Sequence, residues 1–224
     1  MESSASSPLV PQDAPNAEPG RISPGALAAL RRFARPRPPR ERCDLCAADL
    51  AVSHQHLFSP ADRKLACACD ACAILFSGGQ SSHYRLVPRR GEYWPNFHLA
   101  DADWQAMNIP INLAFFTVPS LGEQVQAFYP SPAGATESLV PAEAWEAIKN
   151  ENPRLNQLLP DVEALLVNRV GSARDYYRAP IDECYKLVGL IRGNWRGLSG
   201  GADVWKAIAE FFRELKEKSV TRND

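Results

Sequence analysis

No stretch of the 224-residue sequence stays apolar for the ~20 residues a helix needs to cross a bilayer. The opening "MESSASSPLVPQDAPNAEPG" lacks the apolar centre of a secretory signal; it is polar, acidic and proline-bearing. "LRRFARPRPP" carries the pair Arg31-Arg32 of a twin-arginine signal, but prolines and arginines follow where that signal has an apolar run. A cytoplasmic protein is therefore expected. An excess of charge of one sign is missing too: 25 Lys and Arg against 26 Asp and Glu leave a net charge of −1. Nucleic-acid-binding domains are usually basic, so this balance argues against a nucleic-acid partner. The sequence also has no Gly-rich Lys-Ser/Thr phosphate loop, nucleophile elbow, paired-histidine metalloprotease helix or dinucleotide fingerprint. The most legible routes to an enzyme are thus closed, and a non-catalytic role is expected.

What is present is ordinary for a globular chain until the cysteines. A hydrophobic content of 45% can fill a sizeable core, and the length suits one large domain or two modest ones. Residues 1–40 read as a disordered, Pro- and Arg-rich arm. It holds one short helix, "ISPGALAALRRFA", with Ser23 as cap and Pro24 at the first helical position. "RPRPPRER" reads as an extended linker whose arginines could meet an acidic partner.

Residues 41–88 read as a cysteine-rich, zinc-ribbon-like β module. "HQHLF" and "KLACA" are strands around the turn "SPADRK", and "SHYRLV" is a third strand. "PRRGEYWPNFHL" crosses irregularly to a mixed α+β domain over 95–219. There Asp101 caps the short helix "ADWQAM", "NLAFFTV" and "EQVQAFYP" form a hairpin, and "SPAGATESLV" is a loop. "AEAWEAIKN" is a helix started by Pro141, and "VEALLVNRV" a buried strand. Two C-terminal helices follow. In the first, Ile181, Cys184, Leu187, Val188, Ile191 and Trp195 recur every three or four residues; in the second, Val204, Ile208, Phe211, Phe212 and Leu215 do. The fold class expected is α+β.

Five of the six cysteines fall between residues 43 and 72. "CDLCA" at 43–47 and "CDACA" at 69–73 share Cys-Asp-x-Cys-Ala. Each Cys-x-x-Cys turn places two thiolates on one side of a tight loop. Two such turns brought together by a hairpin give the four-sulfur tetrahedron of a structural Zn²⁺. The expected ligands are Cys43, Cys46, Cys69 and Cys72. The same four thiolates suit iron or an iron–sulfur cluster, and a metal-free dithiol function is a third reading. Cys67 is left over. It is a small buried residue on the incoming strand, a replacement for Cys69, or a reactive thiol or further ligand beside the metal. His54 and His56, two apart, share one face of a strand; they are a partly exposed strand face, ligands of a second site, or an alternative to one thiolate. Cys184, on the apolar stripe of its helix, reads as a buried hydrophobe.

Three weaker features lie in the second domain. The small residues of "FYPSPAGATES", with its hydroxyls and Glu137, suit either a ligand loop or a tight connection capped by Thr136 or Ser138. Arg192, Trp195 and Arg196 suit a helix C-terminus or a docking patch. Tyr176, Tyr177 and Asp182 are explained by packing and capping.

The segments "LRRFARPRPPRERCDLC", "CACDACAILF", "NIPINLAFF", "FYPSPAGATESL", "PDVEALLV" and "IDECYKLVGLIRGNWRGLSGG" together resemble an uncharacterised bacterial family. It is a domain of unknown function, often encoded beside nickel–iron hydrogenase genes. The resemblance covers nearly everything after about residue 25 and carries no catalytic residues. It implies an accessory role in maturing, assembling or wiring a metalloenzyme, with hydrogenase subunits or maturation factors as protein partners. The leading expectation is thus a non-catalytic, zinc-binding accessory protein. The alternatives are an iron-thiolate or iron–sulfur redox protein, and an enzyme with a pocket in the α+β domain.

Overall fold

The segment of residues 163–168, apolar from Ala164 to Val167, lies in the middle of a seven-stranded sheet, as its lack of alternation demands. In the computed structural model, which describes residues 41–78, 82–122, 124–197 and 200–223, this segment is β8 (Glu163–Asn168), and all six of its residues are buried. The other strands are β4 (Glu92–Tyr93), β5 (Leu113–Thr117), β6 (Gln126–Ser131), β7 (Gly134–Leu139), β9 (Asp175–Pro180) and β10 (Val220–Thr221). The order is β10-β4-β9-β8-β5-β6-β7. Every pairing is antiparallel except that of β10 with β4.

Both faces of the sheet are covered, which is why its central strands lack the polar–apolar alternation of a half-exposed sheet. On one face Phe115, Leu166 and Tyr177 pack against α4 (Ile181–Asn194) and α5 (Gly201–Lys218). The expected stripes are buried at Ile181, Cys184, Leu187, Val188 and Ile191 on α4, and at Val204, Ile208, Phe211, Phe212 and Leu215 on α5; Trp195, also expected on the first stripe, is the half-buried cap after α4. On the other face Ala114, Phe116, Leu165 and Val167 meet Trp104 of α2 (Asp101–Ala106) and Trp145 and Ile148 of α3 (Ala142–Glu151).

Residues 55–86 build a smaller sheet, ordered β2-β1-β3, from β1 (Gln55–Ser59), β2 (Lys64–Ala68) and β3 (Arg85–Leu86). The turn "PADR" joins β1 to β2 in antiparallel register, with His56 opposite Cys67. Helix α1 (Asp70–Ser77) follows directly. Phe58 and Val87 belong to the same core as α4 and α5. Ion pairs of Arg63 with Glu137 at 2.9 Å and Arg85 with Asp161 at 2.6 Å reinforce the contact. The α+β class with a small β module and two C-terminal helices is therefore what the chain adopts. The arm, its short helix and its linker, at residues 1–40, lie outside the described residues.

Two local expectations change and one holds. "SPAGATESLV" is not a loop: it is the end of β6, a two-residue turn and β7, paired in full register. Tyr176 and Tyr177, on β9, are packed as expected and face opposite cores. Ala100, not Asp101, is the cap of α2, and the Asp103 carboxylate accepts from the Ala100 N–H at 3.2 Å. Asp101, the first helical residue, instead pairs with Arg169.

Candidate metal centre

Cys43 and Cys46 sit on a knuckle held shut by its own backbone. Cys43 N–H donates to Ala48 O at 2.9 Å, Ala47 N–H donates to Cys43 O at 2.8 Å, and Leu50 N–H donates to Glu41 O at 2.9 Å. Ala47 turns the chain with φ of 60°, in the left-handed region an alanine enters only under constraint. The second pair is built differently. Cys69 is the cap of α1, and Cys72 lies in the first turn of that helix, its N–H donating to Cys69 Sγ at 3.5 Å. The two copies of Cys-Asp-x-Cys-Ala thus adopt two conformations, a knuckle and a helix start, with the β1–β2 hairpin between them. Asp44 docks the knuckle on β2: its N–H donates to Cys67 O at 2.9 Å, and its carboxylate accepts from Cys67 N–H at 2.6 Å.

The four sulfurs of Cys43, Cys46, Cys69 and Cys72 lie within 4.8 Å of one another. Cys46 Sγ and Cys69 Sγ are 3.7 Å apart. Four sulfurs each ~2.3 Å from a shared Zn²⁺ would stand about 3.8 Å apart at the tetrahedral angle. All four are free thiols. Burial pushes the Cys43 thiol up, but backbone N–H donors at Cys69, Leu45 and Cys46 outweigh it and bring its pKa down to about 6. Cys72 goes the other way: burial and its three thiol neighbours raise it to about 12. Without a cation the Cys43 thiolate is favoured, while Cys46 and Cys72 resist ionisation beside it. A divalent ion reverses that repulsion and draws off the remaining protons. The donor set fits a metal such as zinc. Its four sulfurs leave no open position, so it suits scaffolding better than substrate chemistry.

A second group lies on the hairpin. One ring nitrogen each of His54 and His56, and Sγ of Cys67, are within 4.8 Å of one another. Cys67 is half-buried and stands apart from the four-sulfur group. Cys184 is fully buried in the main core, the place expected of it.

The remaining candidates are occupied by the fold. Around the β6–β7 turn, Thr136 Oγ1 donates to Ser131 Oγ, and Ser131 Oγ donates to Gly134 O, each at 3.0 Å. Glu137 pairs with Arg63. Arg196 donates to the carbonyls of Gly193 and Trp195, the role of a cation at a helix C-terminus. One feature went unread in the sequence. Ile74, Leu75 and Phe76, on α1, are 76%, 73% and 44% exposed. They follow the cysteines in an apolar run that carries no sign of which face is covered, and α1 buries only Cys72 and Ala73.

Among the described residues no helix is long and apolar enough to cross a membrane. No curated protein and no solved structure matches the chain. Its residues 42–219, from the knuckle to the end of α5, match a family of unknown function, and on that extent the chain belongs to this family, DUF5947.

Proposed function

We propose that the chain is a non-catalytic, metal-binding accessory protein of the cytoplasm. Residues 41–88 act as its docking module and 95–219 as the domain that carries the module. In this reading Cys43, Cys46, Cys69 and Cys72 hold a structural Zn²⁺. The observation that carries it is the juxtaposition of the sulfur group with an exposed apolar helix. Single exposed apolar residues are ordinary. Three in succession on a two-turn helix, with Leu86 also exposed on β3, leave apolar surface suited to an apolar groove on a protein partner. A helix of eight residues is marginal alone. A metal bound through Cys69 and Cys72 would pin its first turn and so fix that surface. The partner we infer is a subunit or maturation factor of a nickel–iron hydrogenase. Support for that choice is the family resemblance carried by the quoted segments.

The test uses full-length protein purified anaerobically. One zinc per chain that withstands dialysis, lost in Cys69→Ser, is the expected metal result. Iron with a visible absorption band would replace this reading with an electron-transfer one. For the apolar surface, Leu75→Glu with Phe76→Glu is expected to keep the zinc and cut recovery of hydrogenase components from a native-host pull-down at least tenfold. Equal recovery with the double variant and the wild type would sink the docking role.

A further inference from the structure

The hairpin brings together three ligand-type side chains that the four-sulfur centre does not use. We propose that His54, His56 and Cys67 form a second transition-metal site, with three protein ligands and an open fourth position. Strand geometry puts them together: His54 immediately precedes β1 and shares a face with His56, and Cys67 is the cross-strand partner of His56. The two imidazoles are 4.8 Å apart, centroid to centroid, and nearly perpendicular at 80°.

The hydrogen bonds of the rings prepare them as ligands. His54 Nδ1 lies 3.0 Å from the carbonyl oxygen of Ala51, and His56 Nδ1 lies 2.7 Å from Asp182 Oδ2. Both partners are acceptors, so in each neutral ring the proton sits on Nδ1 and the lone pair on Nε2. An imidazole that gives its far N–H to a carboxylate or carbonyl is the usual arrangement of a metal-bound histidine. The independent sign is His54 Nε2. The His54 side chain is 8% exposed, and this atom is buried with no hydrogen-bond partner of any kind. A buried lone pair without a donor costs free energy, and native structures seldom leave one. A cation answers it.

The chemistry of the set points to a borderline divalent ion such as Zn²⁺ or Co²⁺. Imidazole and thiolate are both zinc ligands, and a set of three protein ligands is the pattern of open zinc sites, in which water or an incoming group takes the fourth place. Ligands ~2.0–2.3 Å from one ion stand about 3.3–3.7 Å apart. Small side-chain rotations reach that from the 4.8 Å limit seen here. The His56 side chain is 30% exposed, which gives an ion a way in from solvent. The module would then hold one closed centre and, on the neighbouring strand face, one exchangeable centre.

Full-length apoprotein, kept reduced, is titrated with Co²⁺ and followed by visible and thiolate charge-transfer absorption. Two equivalents are expected in the wild type. His54→Gln and Cys67→Ser are each expected to lose one equivalent and keep the other; Cys69→Ser loses the complementary one. Asp182→Asn, which acts through His56, is expected to weaken the second equivalent about 10–100-fold and leave the first unchanged. The absence of an equivalent sensitive to His54→Gln and Cys67→Ser, whether the wild type binds one equivalent or two, overturns the proposal. Should those variants fail to fold, X-ray absorption on wild type loaded with zinc decides. Two filled sites average about two and a half sulfurs and one imidazole per ion, while sulfur coordination alone overturns the proposal. If the four-sulfur centre is what fails, the equivalent sensitive to Cys69→Ser disappears while the one sensitive to His54→Gln remains.

Discussion

At the scale of single residues, the most consequential charges are inside the sheet. Glu163, 4% exposed, accepts from Arg178 Nε at 2.7 Å and from Leu159 N–H at 2.8 Å. Removing one member of a buried pair strands the other in a medium that cannot solvate it, at a cost of about 3–5 kcal/mol. Glu163→Ala is therefore expected to lower the melting temperature by roughly 10 °C, read by circular dichroism, given ~2–4 °C per kcal/mol at this size. Glu163→Gln keeps an acceptor and should lose markedly less. Residue identity also set how much of the site could be read. The matched Cys-Asp-x-Cys-Ala segments marked four thiols that the fold does gather. The second role of Asp44, docking the knuckle on β2 through Cys67, had no signal in the sequence, because it depends on which backbone comes alongside.

At the scale of elements, periodicity spoke clearly wherever an element was long. The stripes of α4 and α5 each run over several turns, so their buried faces followed from spacing alone. The two-residue strands β4 and β10 have no period to read and exist through pairing with distant chain. The turn around Pro132 misled for a different reason: its small and hydroxyl residues have the composition of a loop, yet they close a hairpin. Two glycines, one inside a helix and one at a helix start, offer a test with opposite signs. Gly189 is exposed on α4, and a Cβ there meets nothing within 4 Å. Gly189→Ala is expected to stabilise by about 0.5–1 kcal/mol. Gly200, at φ 86°, begins α5 where a Cβ would stand 2.7 Å from Val204 Cγ1 and 3.2 Å from the Trp195 ring. Gly200→Ala is expected to destabilise by about 1–3 kcal/mol. Chemical denaturation of both variants against the wild type checks the pair; equal midpoints would refute the argument.

At the scale of the whole molecule, the described residues hold a large core on each face of the seven-stranded sheet and a much smaller one in the cysteine module. The seven-stranded sheet is sealed on both faces. The cysteine module has a private core of only Cys43, Leu57, Ala68, Cys72 and Ala73, two of which are candidate ligands. A core that small supplies little hydrophobic stabilisation, so metal binding should carry much of the module's order. Chelation is expected to speed amide hydrogen exchange at least tenfold across residues 43–77 while β8 stays protected, as read by mass spectrometry. Uniform protection after metal removal would show that Phe58 and Val87 anchor the module without help. Cys67 gives this division a further meaning. Its peptide group is clasped by Asp44 of the knuckle, and its side chain stands with His54 and His56. One stretch of strand is thus ordered from both sides. If both centres fill as proposed, an ion entering either would find that stretch already arranged by the other, and the two occupancies would be linked like paired binding sites: filling one would raise affinity at its neighbour, reciprocally and by the same factor.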